Sequence, residues 1–80
     1  MYTRVLTYDL KNGDSYDYEE LYDYFKVVDA KKLTESSYLI KTSIKWAEFE
    51  KKIRDLTKNG DNVKCVVINQ DNKLDVFNIR

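Results

Sequence analysis

The sequence predicts one α+β domain in which two helices cover one face of an antiparallel sheet. Apolar stretches with the pattern of strands are separated twice by stretches whose apolar residues recur at helical spacing. Read in order, these give strand, helix, two strands, helix and two further strands. Eighty residues with 42% hydrophobic content and no proline suit a single small domain with its own core.

The first strand is expected at residues 2–8. Val5 lies on one face of such a strand, and Leu6 and Tyr8 lie on the other. Apolar side chains on both faces are typical of a strand in the middle of a sheet. Residues 11–15 follow as a loop, because they contain the turn-forming Asn-Gly pair.

A first helix is expected from Tyr18 to Val27. Asp17 with Glu20 three residues later has the spacing of a capping box, which opens a helix. Carboxylates in this first turn also suit the positive end of the helix dipole. The apolar stripe that should face the sheet is Tyr18, Leu21, Tyr22, Phe25 and Val28.

A hairpin and a second helix follow. Residues 31–34 and 37–42 have strand character and are joined by a polar turn at Glu35–Ser36. Ser43 can cap the second helix, and Asn59–Gly60 has the composition of a left-handed stop. The stripe of this helix has 3, 4, 3 spacing: Trp46, Phe49, Ile53 and Leu56.

Two strands close the chain, at residues 63–68 and 74–79, around a turn at residues 69–72. The complete order is that of a ferredoxin-like βαββαβ sandwich with an extra C-terminal strand. The extra strand carries more apolar side chains than a solvated edge strand shows. These residues predict an interface with a second copy, and so a homodimer: Leu74, Val76, Phe77 and Ile79.

Composition excludes several classes of function. The chain has no His, which removes His-based acid–base chemistry and nearly all zinc sites. Basic and acidic residues balance at 14 each, so no global field attracts nucleic acid or a membrane surface. Cys65 stands alone in an apolar run, which excludes a disulfide framework and favours a reducing, cytoplasmic location. No apolar run approaches the ~20 residues that a membrane span needs.

An acid at the end of a buried strand can hold a divalent cation, and Asp9 has this position. The segment from Val5 to Leu10, the Glu35-Ser36-Ser37-Tyr38 entry to the third strand and the appended last strand carry a family resemblance. The chain resembles the small CRISPR-associated adaptation nucleases, the virulence-associated protein D ribonucleases and SinR-type proteins.

This resemblance implies a dimer in which Asp9 of each subunit holds Mg²⁺ or Mn²⁺ for phosphodiester hydrolysis in a bacterial or phage defence setting. Ser37 carries over from the family's Gln-x-Ser triplet as a second site residue, whereas Glu35 stands where the family has Gln. The CRISPR branch also has basic residues on its first helix, whereas this chain has acids there.

Other interpretations remain open. Asp9 can equally be a loop acid after a strand. Basic residues of the second helix can contact RNA or DNA phosphates, or they can pair with acids on the same helix. In a reading of another class, the protein is a phage or mobile-element inhibitor that occupies the basic groove of a nucleic-acid-binding protein. Its partner-binding residues would then be Asp14, Asp17, Glu20, Asp23 and Tyr24.

Overall fold

The computed structural model describes residues 1–14 and 16–80, so Ser15 of the expected loop lies outside the described residues. The elements are β1 (Tyr2–Asp9), α1 (Glu19–Val27), β2 (Lys31–Thr34), β3 (Ser37–Thr42), α2 (Trp46–Leu56), β4 (Asn62–Ile68) and β5 (Leu74–Asn78). The predicted α+β class, with five antiparallel strands and two helices, is confirmed.

The sheet has the strand order β2-β3-β1-β4-β5. β1 lies in its middle, as the two-sided apolar pattern predicts, and pairs with both β3 and β4. Val5 marks the register, because it lies opposite Leu39 of β3 and Val66 of β4. The hairpin of β2 and β3 turns at Glu35–Ser36, as expected.

One core cluster joins alternate residues of the sheet to both helices. Leu6 and Tyr8 of β1 are buried in it, whereas Val5, the residue before Leu6, is only half-buried and faces the opposite side of the sheet. The amphipathic stripes of the helices complete the cluster. Its fully enclosed members include Leu21 of α1, Phe49 and Ile53 of α2, Ile40 of β3, and Val63 and Cys65 of β4.

Neither helix begins at the cap that the sequence predicts. The N-cap residue of α1 is Tyr18, and no described side chain makes a cap hydrogen bond there. The predicted capping box does not form, because Asp17 Oδ2 accepts a hydrogen bond from Asp14 N at 3.0 Å in the preceding turn. α2 begins after Lys45, also without a side-chain cap, so Ser43 does not cap it.

The C-terminus of α2 is stabilised from a distance. The helix ends at Leu56, so the stop predicted at Asn59–Gly60 is wrong; its glycine, with φ 93°, belongs to the following turn. Arg80 instead occupies the helix end. Its Nη2 donates to Arg54 O at 2.7 Å and its Nε donates to Thr57 Oγ1 at 2.8 Å. A residue remote in sequence therefore satisfies carbonyl groups that a local cap would serve.

Candidate functional site

The face of the sheet opposite the helices carries six aliphatic side chains from four strands. We name it the open sheet face: Val5, Leu39, Val66, Ile68, Leu74 and Val76. In the pairing register, Val66 lies opposite Val76 and Ile68 lies opposite Leu74. Leu74 is 62% exposed and Val76 is 64% exposed, while the other four are half-buried. A partly exposed apolar surface of this kind is a candidate interaction site.

Polar residues occupy one end of the same face. Thr7 lies opposite Ser37 on one side and Lys64 on the other, and Asp9 lies opposite Asn62. Because side chains alternate along a strand, Thr7 and Asp9 share the face of Val5. The two site residues that the sequence predicts, Asp9 and Ser37, are thus brought to the same end of the sheet.

Asp9 is an accessible carboxylate. Its side chain is 66% exposed and its Oδ2 lies 3.6 Å from Lys11 Nζ. An ion pair this exposed contributes little to stability, so the carboxylate is available to another cation. Hard divalent cations take six or more oxygen ligands. Within residues 1–14 and 16–80, no group of three or more acidic or thiol side chains is arranged to hold a metal ion.

Ser37 has a hydroxyl partner rather than a base. Its Oγ lies 2.7 Å from Thr34 Oγ1 across the β2–β3 turn, and Thr34 Oγ1 also accepts a hydrogen bond from Ser36 N at 3.2 Å. A serine becomes a nucleophile when an adjacent base takes its proton. In the described residues, the Ser37 hydroxyl therefore has Thr34 as its side-chain partner, and Ser37 lies opposite Thr7 rather than Asp9.

The four residues expected at a subunit interface do not share one surface. Leu74 and Val76 belong to the open sheet face, whereas Phe77 points to the helix side and its ring lies 4.7 Å from that of Trp46. Ile79 is 3% exposed and belongs to the core of its own chain, so it is not available to a second copy. Strand alternation divides the set, because α2 covers one side of β5.

The acidic residues around α1 form a second accessible surface. Five acids take part in none of the ion pairs found among the described residues: Asp14, Asp17, Glu19, Glu20 and Asp23. Asp14 nevertheless has a local role, because its Oδ1 accepts a hydrogen bond from Tyr16 N at 2.9 Å. Tyr24 is half-buried, and its ring centroid lies 5.8 Å from Lys52 Nζ of α2.

The bases of α2 pair along their own helix. Lys51 Nζ lies 3.3 Å from Asp55 Oδ2, and Arg54 Nη2 lies 3.9 Å from Glu50 Oε2. Both pairs have the i,i+4 spacing that places side chains on the same helix face. This geometry favours the intrahelical alternative over phosphate contacts for these residues.

Asp61 is a buried carboxylate that the sequence does not distinguish from an ordinary turn residue. It is 3% exposed and accepts hydrogen bonds from Tyr18 OH at 2.8 Å, Lys11 N at 2.9 Å and Lys58 N at 2.8 Å. Burial alone would raise the pKa of Asp61, but these bonds together with one from Asn12 hold it below its ordinary value. We name this arrangement the Asp61 clasp.

Cys65 fits the reading of a small hydrophobe. Its thiol is buried and unpaired, and burial raises its pKa to about 11.

Neither helix in the described part of the chain is long and apolar enough to cross a membrane. Comparisons of the chain with protein-family models, with curated proteins and with solved structures found no match.

Proposed function

We propose that this protein is a nuclease-like homodimer in which the open sheet faces of two ferredoxin-like subunits pack against each other. The observation that carries the proposal is the position of Asp9, which lies on the same side of the sheet as the aliphatic residues. Packing on that side can therefore bring the Asp9 carboxylates of two chains towards each other. The strand order, with β1 between β3 and β4, supports the ferredoxin-like assignment.

The open sheet face is large enough to drive such packing. Full burial of a Val, Leu or Ile side chain contributes about 1.5–3 kcal/mol, and less where the side chain is already half-buried. Six such residues on each subunit compete with an association cost of about 4–15 kcal/mol. The sum favours a dimer, and dimerisation also stabilises a small domain by mass action.

The cation expected from the resemblance fits this chain only as a dimer. One exposed carboxylate is a poor site, whereas two carboxylates with substrate and water oxygens suit Mg²⁺ or Mn²⁺. A cation held there would supply Lewis-acid activation of a phosphodiester and of its attacking water, without a His base. Asp9 would bind and orient the cation, and Ser37 would hydrogen-bond the substrate.

We expect Val76→Lys to convert the dimer into a folded monomer. The substitution places a charge on the most exposed part of the open sheet face, where a subunit interface would have to desolvate it. Sedimentation equilibrium should show a dimer dissociation constant on the order of 100-fold weaker or more. The matched control is Val27→Lys, the same change at an 82% exposed position on α1. A wild-type protein that stays monomeric at all concentrations contradicts the proposed interface.

We expect Asp9→Asn to abolish cation-dependent cleavage while the dimer persists. The substitution keeps the shape but removes the carboxylate, so the rate should fall on the order of 100-fold or more. The assay uses labelled single- and double-stranded RNA and DNA with Mg²⁺, Mn²⁺ or chelator. Asp71→Asn is the control, because Asp71 is likewise exposed and lies 3.7 Å from a lysine, Lys73. Unchanged cleavage by Asp9→Asn would remove Asp9 from the site.

A second candidate function is supported by the unpaired acids around α1. Under this hypothesis the protein has no catalytic activity and binds another protein. Its unpaired carboxylates occupy a basic groove on a nucleic-acid-binding protein. A dimer that cleaves no nucleic acid with either cation would favour it. Reversal of Asp14, Asp17 and Asp23 to Lys would then destroy the complex with the partner protein.

A further inference from the structure

Arg4 is a buried cation without a described anionic partner. It lies on the helix side of β1 between Ile40 and Val67 in the pairing register, and it is 2% exposed. Its Nε and Nη1 atoms are enclosed and have no hydrogen-bond partner within residues 1–14 and 16–80. No ion pair among the described residues includes it. Neither Asp9 nor the open sheet face has a part in this environment.

Aromatic rings surround the guanidinium instead. Its carbon lies 4.7 Å from the ring centroid of Phe49, 5.0 Å from that of Tyr2 and 5.6 Å from that of Trp46. Such contacts recover part of the lost hydration of the cation. They leave its donors unsatisfied, and an unpaired buried charge is costly. An anion bound beside Arg4 would therefore reduce the cost of this buried charge.

The beginning of α2 contacts Arg4 through two side chains, because the rings of Trp46 and Phe49 lie near the guanidinium. Trp46 and Phe49 both belong to the first turn and a half of this helix, which has 11 residues. In the part of the chain that the structure describes, no side chain caps its N-terminus, so the first backbone N–H groups lack the partner that a Ser or Asp cap would give them. Helix N-termini attract anions, above all phosphate. Lys45, the N-cap residue, is exposed and adds a positive charge.

Flat rings are accessible at the same place. Tyr2 is 45% exposed and Phe77 is 40% exposed, and Phe77 lies against Trp46 at 4.7 Å between ring centroids. Aromatic rings next to a positive charge suit a nucleotide, because the base stacks on a ring while the phosphate meets the cation. A lone inorganic phosphate would make no use of these rings.

We propose that Arg4, the uncapped N-terminus of α2 and the rings of Tyr2, Trp46 and Phe77 form a binding site for the phosphate and base of a nucleotide. The site lies on the helix side of the sheet and is separate from Asp9, which faces the other side. It gives a function to a buried charge that has no ion-pair partner among the described residues. It stands or falls independently of phosphodiester cleavage.

Trp46 provides the assay, because it is the only tryptophan in the chain. Wild-type protein is titrated with adenosine monophosphate, inorganic phosphate, adenosine and sodium chloride at matched ionic strength. We expect a saturable fluorescence change that is tightest for the monophosphate, weaker for phosphate, and absent for adenosine and chloride. Binding of adenosine as tight as that of its monophosphate, or equal affinities for the monophosphate and phosphate, would overturn the proposal.

Arg4→Met tests the cation itself. Methionine fills similar space without a charge, and apolar replacement of a buried ion is often neutral or stabilising. We expect about tenfold or greater loss of affinity for the monophosphate, since a charge-assisted hydrogen bond is lost. Lys26→Met is the matched control, because it removes an exposed charge at the far helix, in the last turn of α1, and should leave binding unchanged.

A measurement on wild-type protein decides the matter if the Arg4 variant does not fold. Backbone amide resonances of Trp46, Ala47 and Glu48 are followed by NMR as the monophosphate is added. The proposal expects saturable shifts concentrated on these three amides, because their N–H groups would meet the phosphate. Shifts absent from them, or spread evenly over the surface, would refute it.

Discussion

Asp61→Ala is expected to lower the free energy of unfolding by about 3–4 kcal/mol, because it leaves the buried Tyr18 hydroxyl and the part-buried N–H groups of Lys11 and Lys58 without an acceptor. Tyr18 OH donates to both carboxylate oxygens of Asp61, at 2.8 and 2.9 Å. Lys11 N, Asn12 Nδ2 and Lys58 N donate to the same carboxylate. For a domain of this size, the loss corresponds to a fall of about 15–25 °C in Tm.

The Asp61 clasp also predicts how stability depends on pH. The folded protein holds the pKa of Asp61 below its ordinary value of 3.8, because hydrogen bonds to the charged form outweigh the opposing effect of burial. A carboxyl group whose pKa is lower in the folded state contributes its stability above the unfolded pKa. That contribution is lost as the pH falls from about 3.8 through the folded pKa. Wild-type protein should therefore lose part of its stability over this acid range.

Urea unfolding followed by circular dichroism, repeated from neutral pH into the acid range, tests both effects. Asp61→Asn keeps one oxygen acceptor, so its free energy of unfolding should fall by only about 1–2 kcal/mol. Its stability should also lack the acid-dependent loss expected of the wild type. Asp23→Ala removes an exposed carboxylate and should change stability by less than about 0.5 kcal/mol. Equal stabilities of Asp61→Ala and Asp23→Ala would show that the clasp does not stabilise the fold.

Phe49→Ala is expected to cost about 3–5 kcal/mol, the range for an aromatic side chain removed from a core. Phe49 is 0% exposed and belongs to the cluster that joins both helices to the sheet. Its ring lies 6.0 Å from that of Trp46 and 4.7 Å from the guanidinium carbon of Arg4. The substitution therefore opens a cavity and removes one of the rings that shield a buried charge.

Phe77→Ala is the matched control, because the Phe77 ring also lies against that of Trp46 while Phe77 is 40% exposed. Its partial exposure should limit the loss to about 1–1.5 kcal/mol. Thermal and urea unfolding of both variants measure the difference. A loss from Phe49→Ala no larger than that from Phe77→Ala would mean that the core relaxes around the missing ring.

Several features of this fold could be predicted from the sequence because they depend on near neighbours. Helical spacing indicated the position of both helices to within one or two residues. It did not indicate which side chains cap them. Alternation along β1 separated Val5 from Leu6 and Tyr8 and indicated a central strand, as the register confirms. These periodicities are set by the geometry of the backbone alone.

The hydrogen-bond partners at the helix ends could not be predicted from local patterns. Asp17 had the spacing of a cap, but it serves the turn before α1 by accepting from Asp14 N. The end of α2 depends on Arg80, 26 positions from the Arg54 carbonyl that it reaches. Each case is a competition between a local acceptor or donor and another partner, and the sequence does not show which partner wins.

The sequence by itself determined the elements, their order and the division of each strand into two faces, because each follows from the backbone period of a few residues. Only the tertiary structure decided which polar groups meet. Asp61 and Tyr18 are 43 positions apart, and Asp61 and Lys11 are 50 apart. Arg4 likewise meets the rings of α2 only after β1 and α2 pack. Contacts between distant residues arise from chain folding and leave no periodic pattern in the sequence.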